Sequence, residues 1–198
     1  MKPLVLVIIG CLALSACRVT LPTKGSIGSA WHLTPKVALV NQKKDFSVVV
    51  AKPWIAPGYE GSKVLVSLPS GERDVLAGVV WSAGHGEWVR NYFVEGLQSS
   101  SAFSAVSGNL KHRDSVRVVQ LYLWDLSVHY QSAARLQPTV KAKMAVTITN
   151  EKGKKLLDQQ IIAASYQVKD NRVDPIMAGF DVVIDDCFKK IYQLLIDL

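Results

Sequence analysis

Four histidines, three cysteines and a Gly-His-Gly triplet are the residues of this sequence best suited to chemistry. A metal site needs ligands at workable spacing, such as two histidines one helical turn apart. His32, His85, His112 and His129 are scattered, and no two stand at i, i+4. There is no HExxH and no cysteine–histidine cluster, so no metal and no cofactor is expected. The serine-rich patches contain no GxSxG elbow for a nucleophile. Gly84-His85-Gly86 follows an apolar run and precedes a helical pattern, as a phosphate-cradling loop would. Val89 stands where a third glycine would be needed, so these glycines read as a turn into a helix. His129 lies near the end of a strand pattern beside Tyr130 and reads as exposed or locally bonded. Cys187 falls on an apolar stripe, where a free thiol behaves as a small hydrophobe. Nothing in these residues predicts an enzyme.

Cys17 is different. It ends an apolar run, Leu4 to Leu14, that stands behind the single positive charge of Lys2. Eleven helical residues rise about 16 Å, roughly half the hydrocarbon core of a bilayer, which is too short to span it. A charged start followed by a short apolar run fits a secretory signal. The tetrapeptide Leu14-Ser15-Ala16-Cys17 resembles the bacterial lipobox. That resemblance implies a diacylglycerol thioether on Cys17, cleavage between Ala16 and Cys17, and acylation, for example with palmitate, of the new amino terminus. Several acyl chains exceed the two-signal threshold for stable membrane anchoring. The residue after the cysteine is Arg18 rather than Asp. By the sorting tendency of enterobacterial lipoproteins this implies the periplasmic face of the outer membrane.

Composition narrows the partners. The formal net charge is +7 and stays clearly positive once Lys2 leaves with the signal. Outside the cytoplasm such a surplus serves solubility or attraction to anionic headgroups rather than nucleic acid. Cys11 leaves with the signal and Cys17 is modified, so Cys187 has no partner for a disulfide. The fold must rest on its core alone, and residues 17–198 are enough for one.

The remaining chain divides into a signal (residues 1–16), a lipidated tether (17–30) and an α+β domain (31–198). The tether mixes Pro, Gly, Ser and Thr without a period and would hold the domain roughly 20 Å from the membrane. "FSVVVAKP", "KVLVSLP" and "DVLAGVVW" read as strands, with a Pro- and Gly-rich loop after the first. Trp54 and Tyr59 lie in that loop, where aromatics serve as contact anchors or fold back over a sheet. Val89, Phe93 and Leu97 recur at helical spacing and predict a first helix from near Glu87. Trp88 and Tyr92 lie partly off that stripe and form a second candidate contact pair.

Three long strand patterns follow. In "VRVVQLYLWDLSVHY" the even positions from Val116 to Tyr130 are apolar except Gln120, while the other face turns polar at Asp125, Ser127 and His129. Trp81 and Trp124, which end or line strands, read as core. "VKAKMAVTIT" alternates cleanly and "LLDQQIIAASYQV" continues the meander. A final amphipathic helix, capped by Asp174 with Pro175 first, carries Ile176, Phe180, Val183, Cys187, Ile191 and Leu194 at three- and four-residue spacing. The expectation is α+β: a largely antiparallel sheet of about six strands with two helices packed on one face.

The order of these features resembles the ABC-type transport auxiliary lipoproteins. "WHL" stands in the place of the family's Tyr-x-Leu opening, and "FSVVVAKPWIAPGYEGSKVLVSL" resembles its strand, Pro-containing loop and strand. "VVWSAGHGEWVRNYFVEGL" resembles the strand-ending tryptophan and helix, and the long strand, meander and terminal helix complete the series. The resemblance implies a non-enzymatic accessory subunit of an MCE-domain lipid transport system, contributing to outer-membrane integrity. Its partners would be an MCE-domain protein of the same operon, the outer membrane through Cys17, and further copies in a homo-oligomeric ring. A lipoprotein that plugs or chaperones an outer-membrane β-barrel is the alternative.

Overall fold

The computed structural model describes residues 28–36, 42–109, 115–131 and 137–198. In chain order the elements are β1 (Ser29–Trp31), β2 (Lys44–Val50), β3 (Trp54–Ile55), β4 (Lys63–Ser67), β5 (Arg73–Trp81) and α1 (His85–Ser99). Then follow β6 (Phe103–Ser107), β7 (Val116–His129), β8 (Thr139–Asn150), β9 (Lys155–Gln167) and α2 (Val173–Ile196). β1 takes in Ser29 and Ala30, the last residues of the stretch read as tether.

β7 organises the sheet. Its fourteen residues run about 46 Å at strand rise. One edge pairs antiparallel with β8 from Arg117 to His129, and β8 pairs antiparallel with β9. The other edge is shared by three short strands in succession. β2 pairs with Val116 to Val119, β3 with Tyr122 and Leu123, and β4 with Ser127 to His129, all parallel. Pro53 ends the first of these, because it has no N–H to give the ladder. β6 then adds to β2 in parallel, β5 to β4 antiparallel, and β1 to β5 in parallel.

The described sheet therefore has nine strands and mixed direction, not about six largely antiparallel ones. The long meander was read correctly. The parallel pairs escaped because their partners are far apart in sequence, and strand composition carries no direction.

Both helices pack on one face, as expected, and share a single core with the sheet. Val119, Leu121 and Leu123 of β7 point into that core, but so do Leu126, Val128 and Tyr130. The change of parity has a local cause. Leu123 stands opposite Met144 and Asp125 opposite Lys143, so one residue, Trp124, is extra. Such a β-bulge turns the following side chains onto the other face. The single even-numbered apolar face read from the sequence, broken only at Gln120, is thus corrected at Trp124, which is only half-buried instead of core.

α1 begins two residues before the expected Glu87, with Gly84 as its N-cap, and Trp88 N–H donates to the Gly84 carbonyl at 2.9 Å. α2 also starts early. Arg172 is its N-cap, which places Asp174 and Pro175 in the first turn rather than at the cap and first position. A proline is tolerated there because the first turn's N–H groups have no helical acceptor.

Candidate functional site

The polar end of β7 gathers four side chains on the sheet face opposite the helices. Tyr59 Oη donates to Asp125 Oδ1 at 2.7 Å. Ser127 Oγ donates to the same oxygen at 2.5 Å. His129 Nε2 lies 3.0 Å from Asp125 Oδ2 and 3.0 Å from Ser127 Oγ. Strand geometry explains the trio, since residues i, i+2 and i+4 share a face. The parallel β3 and β4 leave a gap along β7 that the 56–62 loop crosses, bringing Tyr59 to Asp125.

Serine, histidine and aspartate within hydrogen-bond reach invite a comparison with nucleophilic catalysis. The arrangement runs the wrong way for it. Ser127 is fully buried and its hydroxyl proton goes to the carboxylate, not to the imidazole. A carboxylate only accepts, so His129 Nε2 carries a proton toward Asp125 and cannot receive one from Ser127. Burial works against the Asp125 charge, yet hydrogen bonds from His129, Ser127 and Tyr59 together hold its carboxyl below the usual carboxylate range. The Tyr59 phenol is pushed up to about 12, first by burial and then by Asp125. The cluster is a clasp between a loop and a strand.

Of the contact residues expected from the sequence, Trp54 is 50% exposed. Tyr59 is buried, with the Arg73 guanidinium 5.0 Å from its ring and His85 edge-on at 6.2 Å. It is the residue that folds back. Trp88 and Tyr92 are also buried, which corrects their reading as a contact surface. α1 packs against the sheet on one side and against α2 on another, so it buries two adjoining stripes rather than one. Trp88 stacks on Trp81 at 4.6 Å, and Tyr92 meets Phe188 at 6.1 Å.

Cys17 and Ala16 of the lipidation and cleavage signal lie outside the described residues, as do Cys11 and His112. His85 is buried and its Nδ1 faces the Gly61 carbonyl at 2.8 Å; burial lowers its pKa, and that hydrogen bond opposes the shift. Cys187 is core, and burial pushes its thiol up to about 12. Among the described residues no group of three histidine, cysteine, aspartate or glutamate side chains could hold a metal ion. No described helix is long and apolar enough to cross a membrane.

A second feature was only half legible. On the helix-free face, Trp54 of β3 pairs with Tyr122 of β7, Tyr122 with Ala145 of β8, and Ala145 with Ile161 of β9. The row therefore crosses four strands. Trp54 and Ile161, at its two ends, are 50% and 60% exposed, the largest values among the exposed large apolar side chains described. Two residues along β8 and on the same face stands Lys143, its Nζ 5.3 Å from the centre of the Trp124 ring, followed by Lys141. Both lysines are exposed. An open pocket of about 440 Å³ adjoins them, lined by Asp125, Lys141, Lys143, Ser165, Asp186 and Lys190. Sequence alternation placed the lysines on one face, but only the register joins them to Trp54 and Ile161.

The chain matches no protein-family model and no curated protein. Solved structures do match. A Xanthomonas campestris protein of the DUF330 family superposes with a TM-score of 0.68 at 14% identity, over 85% of this chain and 92% of that one. A crystal structure of an uncharacterized protein gives 0.64 at 11% identity, over 85% and 98%. A hypothetical protein of Chlamydia trachomatis gives 0.50 at 12%, over 77% and 96%. At these identities the likeness is one of fold: this chain is built on the same two-helix, mixed-sheet plan as the DUF330 protein.

Proposed function

We propose that this chain is a lipid-anchored protein of the bacterial envelope, a non-enzymatic accessory subunit of an MCE-domain, ABC-type lipid transport system. The observation that carries the reading is Leu14-Ser15-Ala16-Cys17, a lipobox-like end to a short apolar run, ahead of a domain with its own core. Acyl chains on Cys17 hold the domain at the periplasmic face of the outer membrane, the side that Arg18 favours. The clasp at Asp125 supports a role in binding rather than chemistry, since the Ser127 proton is held by the Asp125 carboxylate and not by the His129 imidazole. The domain docks, alone or as a homo-oligomeric ring, onto an MCE-domain partner encoded beside it.

The test has two arms. Mass spectrometry of the protein purified from its native membrane is expected to find Cys17 as the acylated first residue; a bare Cys17 ends the anchoring claim. Co-purification with the neighbouring MCE-domain protein, followed by mass photometry, is expected to show a complex at micromolar concentration. A β-barrel as the main co-purified partner would transfer the protein to the plug or chaperone class.

A further inference from the structure

We infer that the helix-free face of the sheet is a membrane-contact surface, with Trp54 and Ile161 as interfacial anchors and Lys141 and Lys143 as contacts for anionic lipid headgroups. The inference deepens the anchoring reading and rests on it for the nearness of the bilayer. The surface itself is argued from the fold. Trp54, Tyr122 and Ile161 stand in one cross-strand row, and Trp124 joins them because the bulge at β7 sets it beside Asp125 on the same side as Lys143. Residues two apart on one strand face are about 7 Å apart, so Lys143 flanks the apolar row directly at Ala145 and Lys141 stands one such step further along the same face.

Tryptophan and tyrosine have an apolar body and a polar tip, which is why they collect at the headgroup level of membranes. Lysine beside them adds attraction to an anionic leaflet. The carboxylate that could cancel those lysines, Asp125, is occupied by Tyr59, Ser127 and His129. Lys190 reaches the outer strand from α2, donating to the Ala163 carbonyl at 2.9 Å, and borders the pocket beside Lys141 and Lys143. Of the acids of α2, Asp186 borders the same pocket and is neutralised by Lys190 at 2.8 Å, while Asp185 pairs with Lys189 at 2.7 Å and Asp181 with Lys36, which leaves Lys141 and Lys143 as the uncancelled charges of this face. Basic charge and exposed aromatic surface thus share one side of the molecule. That combination suits a phospholipid surface better than an acidic protein, which would gain little from a lone protruding Trp54 and Ile161 at opposite ends of a four-strand row.

The experiment uses the mature chain, residues 17–198, carrying Cys17→Ser so that no acyl chain contributes. It is floated with vesicles of phosphatidylglycerol and phosphatidylcholine, and with phosphatidylcholine alone. The expected result is co-flotation with the anionic vesicles, weakened by salt, and little with the zwitterionic ones. Partitioning should fall roughly five-fold for each of Lys141→Gln and Lys143→Gln. It should also fall several-fold in Trp54→Ala and Ile161→Ser, exposed positions at which the fold is retained and circular dichroism can check it. A Cys17→Ser chain with its sheet face intact that stays unbound on anionic vesicles at low salt overturns the proposal and leaves the face to a protein partner. Binding that is unchanged in all four variants overturns it too. The result is independent of whether Cys17 is acylated in the native membrane, so failure here and failure of the anchoring reading are separate outcomes.

Discussion

Tyr59 Oη donates to Asp125 Oδ1 at 2.7 Å, tying a loop to a strand 66 residues further along the chain. The bond spans the gap that β3 and β4 leave on the edge of β7, and it keeps the Asp125 charge satisfied in a partly buried place. A hydrogen bond to a charged group is worth about 1.5–3 kcal/mol. Tyr59→Phe keeps the ring and its contacts with Arg73 and His85 and removes only the donor. It should lower unfolding free energy by roughly that amount in urea titrations. Tyr59→Ala, which also loses the buried ring, should lose clearly more. Equal effects of the two would mean that the hydroxyl carries the whole interaction and the packing none.

His85 gives stability a pH dependence of known sign. Its pKa is lowered in the folded chain from the ordinary 6.5, because burial disfavours the charged imidazole. An unfolded chain then binds the proton more readily than the folded one. The stabilisation is fully present above pH 6.5 and is lost as pH falls below it toward the folded value. His85→Asn retains an N–H for the Gly61 carbonyl and does not titrate. Urea midpoints at pH 7.5 and 5.5 should therefore lie closer together in the variant than in the parent. An unchanged difference would show that His85 does not titrate with unfolding.

Cys187 is a built-in reporter of opening. It lies in the core as part of the apolar stripe of α2, and its thiol is pushed up to about 12 by burial. In a chain of residues 17–198 with Cys17→Ser it is the one remaining thiol. Reaction with a thiol-exchange reagent at pH 8 should be slow in the native protein and fast in denaturant, with an apparent rate that tracks unfolding. Rapid labelling of the native chain would place Cys187 on an accessible surface and contradict the packing of α2.

How far these relationships could be read from the sequence depended on range. β8 and α2 were legible because each repeats its period over a dozen or more residues, and α1 was legible except for its first turn. β1 and β3, of three and two residues, are too short to show any period. The bulge was hidden because Leu123, Trp124 and Leu126 are all large and apolar, so a change of face at Trp124 left no break in the pattern. Asp125, Ser127 and His129 were visible as one polar strand end; Tyr59 was not visible as their partner, since only the parallel pairing of β3 and β4 brings it there. Trp88 and Tyr92 misled for a related reason. A stripe drawn through Val89, Phe93 and Leu97 assumes one buried side, whereas α1 touches both the sheet and α2.

The closeness of α1 and α2 supplies a test of the core itself. A Cβ added at Gly96 would stand 2.6 Å from Phe188 Cε2, 2.7 Å from Cζ and 3.2 Å from Pro35 Cβ. Phe188 is buried and packed against Tyr92, Phe93 and Tyr192, so the ring has little room to retreat. Alanine is better than glycine in a helix by about 1 kcal/mol, while overpacking a tight core costs about 1–3 kcal/mol. Gly96→Ala should thus come out neutral to moderately destabilising, and Gly96→Val, which adds bulk and a β-branch, strongly so. Phe188→Leu alone should destabilise by opening space. Combined with Gly96→Val it should give a double variant more stable than the sum of the two single losses predicts, because the new side chain occupies that space. Strict additivity in a thermal or urea double-mutant cycle would mean that the two side chains do not meet, and the docking of α1 on α2 would have to be redrawn.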